Sequence, residues 1–210
     1  MLTSRKALVL NKPSYRRGLQ QIPGSADGAG SGGIAGSSKA GALGSGFFVP
    51  AGKTRRVLGI DPGLASTGYG IVDFCNNRYR LVHYGVISTE AGTPHGERLL
   101  KIYSRLTALV EEFLPQEAAM ETLYFAKNVS SAMSVAEARG VVTLCLAQHC
   151  IPLGEYTPNN IKQAVTGLGS SGKAGVQEFV RLLLGMETLP KPDHAADALA
   201  AAITHVNSSR

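Results

Sequence analysis

Four side chains in this sequence have the right chemistry to hold a cation: Asp61, Glu121, His194 and Asp197. Asp61 ends the apolar run VLGI and opens DPGLASTGYG, Glu121 follows AAM, and His194 and Asp197 stand three apart in HAADALAAAI. Residues three apart on a helix share a face, so the last pair can point at one spot. If the segments ending in Asp61 and Glu121 are neighbouring strands, and the helix carrying His194 crosses their ends, all four side chains converge. Crowded carboxylates repel and are costly to bury, so such a cluster calls for protonation or a cation. Hard oxygen ligands favour Mg²⁺ or Mn²⁺, and a pair of such ions can activate a water and stabilise a leaving oxygen in phosphodiester hydrolysis. On this reading the small residues after Asp61 leave room for a phosphate.

Each residue also has a plainer reading. An Asp-Pro-Gly triplet initiates turns, Glu121 could be a solvated strand end, and Asp197 a surface helix position. Against the last, nearly every neighbour of Asp197 is small or apolar, and an acid in such surroundings asks for a partner. Asp193 follows Pro192 and directly precedes the helix, which suits an N-cap more than a ligand. His194 fits a solvated first turn and a metal ligand equally well.

The elements needed to bring these residues together are visible in the pattern. Residues 56–60, 68–74 and 79–88 read as three strands, with Asn76-Asn77 turning the second into the third as a hairpin. In 97–114, Leu99, Ile102, Leu106, Leu109 and Phe113 recur at helical spacing, and Pro115 ends the helix. A short strand at 118–122 carries Glu121 near its end. A long, weakly charged helix follows at 130–148, mostly buried on this reading and tolerating Gly140. Residues 151–156 form another strand, Pro158 and Gly172 start two helices, and a last helix runs over 194–206. Three consecutive strands followed by alternating strands and helices predict an α/β fold with a mixed five-stranded sheet, antiparallel first and then parallel, flanked by helices.

Length allows one ordinary domain with a sizeable core. The net charge is +6, yet residues 1–56 hold nine Lys and Arg against Asp27 alone, and the remainder carries twelve cations against fourteen acids. Nucleic-acid contacts by that remainder would come from locally placed cations. Residues 1–53 include GSADGAGSGGIAGSSKAGALGSG, too poor in apolar anchors to offset its ordering entropy, and are expected to be a disordered extension; residues 54–210 are expected to be the folded domain. The extension's Arg- and Ser-rich, acid-poor character also suits an organellar transit peptide. Cys75, Cys145 and Cys150 show no CxxC pair or zinc-finger spacing, and read as buried, reduced thiols in a cytosol-like compartment.

GIDPGLASTGYGIV, METLYFAKN, the EARG of 137–140, TPNNIKQAVTGLGSSGKAGVQ and DHAADALAAAITH together resemble the successive motifs of the RuvC family, bacterial Holliday-junction endonucleases with a ribonuclease H-like fold. The resemblance covers about 55–206, and the N-terminal extension has no counterpart in the family pattern. It implies that Asp61, Glu121, His194 and Asp197 form the catalytic and metal site, holding Mg²⁺, or Mn²⁺ in its place, as a pair of ions in each subunit. Many members carry aspartate where His194 stands, and others histidine. The resemblance also implies paired symmetric nicks in four-way DNA junctions during recombination and repair. It further implies a homodimer, a RuvA-RuvB branch-migration complex as partner, and a bacterial cytoplasmic location.

Tyr124, Phe125 and Lys127 follow the Glu121 strand in a loop suited to stacking on unpaired bases, though a core aromatic pair fits the residues as well. The resemblance favours a DNA-facing loop, with Tyr124 the better positional match. Lys162 and Lys173 flank the glycine-rich VTGLGSSG and suit phosphate contacts, which the family positions support; a solvated helix face is the alternative. Other functions compatible with parts of the pattern are an actin-like ATPase, which lacks here the length and the repeated domain, an inactive junction-binding protein, and a ribonuclease of the same fold.

Overall fold

The computed structural model describes residues 53–122 and 129–208, apart from the side chains of 129–131. Residues 1–52 of the N-terminal extension, and Tyr124, Phe125 and Lys127, lie outside the described residues. The chain divides into Met1–Gly46 and Phe47–Arg210, and every element below belongs to the second unit.

A continuous run buried on both faces, Val57 to Ile60, gives β1 (Arg55–Asp61), which pairs antiparallel with β2 (Ser66–Cys75). β2 turns into β3 (Arg78–Ser88) through Asn76 and Asn77, both at positive φ (51° and 61°). This is the two-residue hairpin geometry the sequence led us to expect, because asparagine tolerates the left-handed region. The chain then crosses through α1 (His95–Phe113) to β4 (Glu117–Glu121), which lies parallel to β1 with Ile60 opposite Met120. From there it runs through α2 (Val129–Gln148) to β5 (Leu153–Tyr156), parallel to β4. The sheet order is β3-β2-β1-β4-β5. Then come α3 (Pro158–Thr166), α4 (Lys173–Leu183) and α5 (Asp193–Ser208). Thr157 caps α3, its hydroxyl accepting from the Asn160 amide.

The sheet buries both faces. On one, Leu58, Ile60, Ile71 and Met120 meet Ile102 and Leu106 of α1 and Val142 and Leu146 of α2. On the other, Val57, Val72 and Ala119 meet the small residues of α5, with Val165, Val176 and Val180 of α3 and α4 outside them. α5 rests on this second face over a floor of glycines. A Cβ on Gly59 would sit 1.8 Å from the Ala198 carbonyl oxygen, and one on Gly68 1.9 Å from that of His194.

Three expectations need correction. The small residues at 68 and 70 make room for α5, not for a phosphate: a Gly70 Cβ would lie 2.5 Å from Leu199. α2 is not mostly buried, since Met133, Gly140 and Leu144 are exposed along one side. Of the cysteines only Cys145 is buried, while Cys75 is half-buried and Cys150 exposed; none forms a disulfide. Among the described residues no helix is long and apolar enough to cross a membrane.

Candidate active site

The parallel pairing of β1 with β4 puts the last residues of both strands, Asp61 and Glu121, at one end of the sheet. Side chains alternate along a strand, so Asp61 shares the face of Gly59, and Glu121 that of Ala119. This is the face α5 covers. The first turn of α5 therefore arrives directly over both carboxylates, and His194 Nδ1 hydrogen-bonds Asp61 Oδ2 at 2.6 Å. Asp197, one turn on, accepts from Lys173 Nζ of α4 at 3.1 Å. All four residues singled out from the sequence thus lie at the same sheet end.

The electrostatics of the cluster are unfavourable by itself. Burial pushes the Asp61 carboxyl above its ordinary pKa in spite of the bonded His194, and Asp197 adds to the rise. Burial likewise raises Glu121, with Asp61 and Asp197 repelling its charge and Lys162 and Lys173 opposing them. For Lys173, burial acts to lower the pKa, but the bonds to Asp197 and Asp193 outweigh it and hold the ammonium above its usual value. A lysine here partly supplies the positive charge that the acids demand.

Among the described residues no three His, Cys, Asp or Glu side chains are drawn into a closed metal-holding group. The donor set nonetheless fits a hard divalent cation: the Asp61 and Glu121 carboxyls raised first by burial and then by neighbouring acids, one imidazole, and lysine ammoniums as the counter-charge.

Asp193 differs from the expectation of an N-cap. Pro192 O accepts from the Ala195 and Ala196 amides, so Asp193 is the first helical residue. Its exposed carboxylate bonds Gln177 and Lys173 instead, tying α5 to α4.

Two supports were not picked out from the sequence. Arg139, inside the EARG motif, donates to the Glu121 carbonyl oxygen at 2.6 Å and pairs with Glu155 of β5 at 2.6 Å, fixing the end of β4. At the other end of α5, His205 Nε2 bonds Glu117 at 2.8 Å while its Nδ1 shares a hydrogen bond with the Tyr156 hydroxyl. Eleven residues are three helical turns, so His194 and His205 lie on one face and grip the sheet at both ends. That spacing was the available signal. Closer to Asp61, buried Thr67 donates to the Gly63 carbonyl oxygen at 2.8 Å, holding the turn after β1.

The family described as "Crossover junction endodeoxyribonuclease RuvC" matches residues 57–205. The chain belongs to the RuvC family. A RuvC of Treponema denticola is 61% identical over 151 residues, covering 72% of this chain and 85% of that protein. One of Chloroflexus aurantiacus is 54% identical over 150 residues, covering 71% and 92%. Among solved structures, T. thermophilus RuvC in complex with a Holliday junction substrate superposes with a TM-score of 0.72 at 35% identity, over 74% of this chain and 95% of that one. The yeast mitochondrial resolvase Ydc2 shares the fold at a TM-score of 0.56 and 15% identity, over 76% and 80%. The five-stranded mixed sheet is therefore the ribonuclease H-like fold of RuvC. The chain is an endodeoxyribonuclease of a family that is divalent-metal dependent in general.

Proposed function

We propose that this RuvC-family endodeoxyribonuclease resolves four-way DNA junctions by hydrolysing phosphodiesters at the cluster of Asp61, Glu121, His194 and Asp197, in paired symmetric nicks. The observation that carries the assignment of residues is the adjacency of Asp61 and Glu121 on parallel strand ends, both with carboxyl pKa raised by burial and by neighbouring acids. Such a pair is stable as dianion only beside added positive charge. Asp61, Glu121 and Asp197 with His194 would hold Mg²⁺, with Mn²⁺ as substitute and a pair of ions in each subunit. Bound there, the metal supplies a nucleophilic water and charge stabilisation at the leaving oxygen. His194 orients Asp61 through their hydrogen bond, and Arg139 fixes the backbone under Glu121. Lys173, held by Asp197 and Asp193, stands beside the cluster and would serve a DNA phosphate there. Lys162, near enough to lower the Glu121 pKa, serves the same strand.

Tyr124, Phe125 and Lys127 are assigned to base stacking at the junction centre on the sequence pattern. A symmetric junction suits a two-fold dimer with one site in each subunit, and the exposed side of α2 carrying Met133, Gly140 and Leu144 is the surface we assign to that contact. Residues 54–210 are taken as the nuclease domain and 1–53 as an extension to it. RuvA-RuvB as partner and a cytoplasmic location complete the reading; three cysteines without a disulfide suit a reducing compartment.

The test is cleavage of a synthetic mobile four-way junction with and without Mg²⁺. Symmetric nicks in opposing strands support the proposal, and metal-independent cutting, or cutting of RNA in preference, overturns it.

A further inference from the structure

β3 is an edge strand: among the described residues it pairs with β2 alone. Exposed edges invite strand addition, and proteins commonly block them with charge. β3 is blocked in this way only at its start, where Arg78 and Arg80 stand and Arg80 pairs with Asp73. From Leu81 to Ser88 the sequence LVHYGVIS carries no Lys, Arg, Asp or Glu.

The unguarded half of the edge is flanked by a groove on each face of the sheet. On the α1 side a groove of about 330 Å³ has Tyr69, Ile87 and Leu109 for its apolar part and Lys101 and Arg105 for its rim. Gly85 keeps it open, since a Cβ there would meet the Tyr69 hydroxyl at 2.7 Å. On the other face a groove of about 640 Å³ runs from Tyr84 to Leu189 and Lys191. Alternate side chains of a strand point to opposite faces. A segment added beside β3 would therefore drop one set of side chains into each groove.

Charge selects the occupant. Lys101 and Arg105 are exposed and have no salt bridge among the described residues. Glu112 lies on the same wall and acts on Tyr69, the residue opposite Gly85, more strongly than Arg105 does. In the second groove Glu187 opposes Lys191, and Arg181 pairs with Glu178. The α1 wall thus carries two cations against one acid and is net cationic, its positive part at Lys101 and Arg105. The chain's own extension is also cationic, with six Lys and Arg against Asp27 in residues 1–52. A second copy of β3 would bring Arg78 and Arg80 against like charges in its own grooves. A nucleic-acid backbone has no side chains for the apolar floor of the α1-side groove.

We propose that the β3 edge from Tyr84 to Ser88 is a docking site for an extended, acidic segment of another protein, taken up as a sixth strand with its acids against Lys101 and Arg105. Main-chain bonding gives such a site its affinity and the two grooves its selectivity.

The test uses the full chain and a labelled eight-residue peptide alternating aspartate and valine, read by fluorescence anisotropy. Binding is expected, with none by the peptide in which lysine replaces aspartate. Methylating one alternate set of peptide amides should abolish binding while methylating the other is tolerated, which side-chain attraction alone would not produce. The double variant K101E/R105E should weaken binding at least tenfold while melting temperature and cleavage of a four-way junction stay unchanged. No binding at millimolar peptide, equal tolerance of both methylated sets, or unchanged binding by the variant overturns the proposal. So does loss of junction affinity in that variant, which would assign the cations to a DNA arm. A change of its oligomeric state would assign the edge to a second copy, and equally overturn it.

Discussion

His194 of α5 reaches back to Asp61 of β1 across 133 positions of sequence, Nδ1 to Oδ2 at 2.6 Å. The bond locks the first turn of the last helix onto the end of the first strand. It also leaves Asp61 half-buried beside other acids with a pKa that remains above the ordinary value.

Asp61→Asn should abolish cutting and keep junction binding, because it removes a ligand charge without changing shape. With the repulsion gone, its melting temperature in EDTA should rise above that of the wild type. Mg²⁺ should raise the wild-type melting temperature and leave the variant's unchanged, since a ligand stabilises only the state that binds it. Thermal melts with and without Mg²⁺ check both points.

His194→Asp should be tolerated in a junction-cleavage assay and His194→Ala should lose most activity. Asp193→Ala should change the rate by little, because its exposed carboxylate bonds Lys173 and Gln177 and does not join Asp61. Wild-type rates for His194→Ala beside an inactive Asp193→Ala would reverse the assignment.

Gly59→Ala should destabilise by about 3 kcal/mol or more, since its Cβ would meet the α5 backbone and neither element can yield without opening the core. Gly175→Ala, whose nearest contact would be Ser171 at an ordinary 3.8 Å, should instead stabilise by about 0.5 to 1 kcal/mol through helix propensity. Denaturant unfolding of the two variants makes the comparison.

Glu117 should set an acid-stability limit. The bidentate Arg55 guanidinium, helped by His205, holds its pKa at about 2 against burial that would raise it from 4.5. A depressed carboxylate contributes stability that is complete above the unfolded value and is lost as pH falls from 4.5 towards 2. Glu117→Gln should therefore cost of order 2 kcal/mol at pH 7, with the difference from wild type shrinking across that window. Urea titrations at a series of pH values show whether the two curves converge.

Tyr124→Ala should slow cleavage without altering metal-induced stabilisation. Loss of stacking costs about 1 to 3 kcal/mol per base, and a junction with mismatches at its centre should restore part of the rate. A collapse of thermal stability with no rescue would make Tyr124 a core residue.

Much of this was legible in the chain. Short apolar runs marked the strands, helical spacing marked 97–114, and Pro158, Gly172 and Pro192-Asp193 marked helix starts, because these signals follow from local backbone geometry. Asn76-Asn77 marked its hairpin for an equally local reason. The chemistry of Asp61, Glu121, His194 and Asp197 was visible as acids and an imidazole in apolar surroundings. Their convergence was only conditional, because nothing in a one-dimensional pattern states that β4 pairs with β1 and not with β3.

The tertiary structure decided what depends on contacts far apart in sequence. Gly68 and Gly70 read as small residues beside a phosphate, and only the approach of α5 shows that they, like Gly59, bear a helix. The exposed side of α2 could not be separated from a buried one, since a weakly charged helix reads alike in a core and at an interface. The Lys173 bond to Asp197 and the Arg139 bond to the Glu121 carbonyl oxygen depend on side chains carried by different elements. Local sequence fixes periods, turns and caps through nearest-neighbour sterics, whereas partners across the sheet are chosen by the packing of the whole chain.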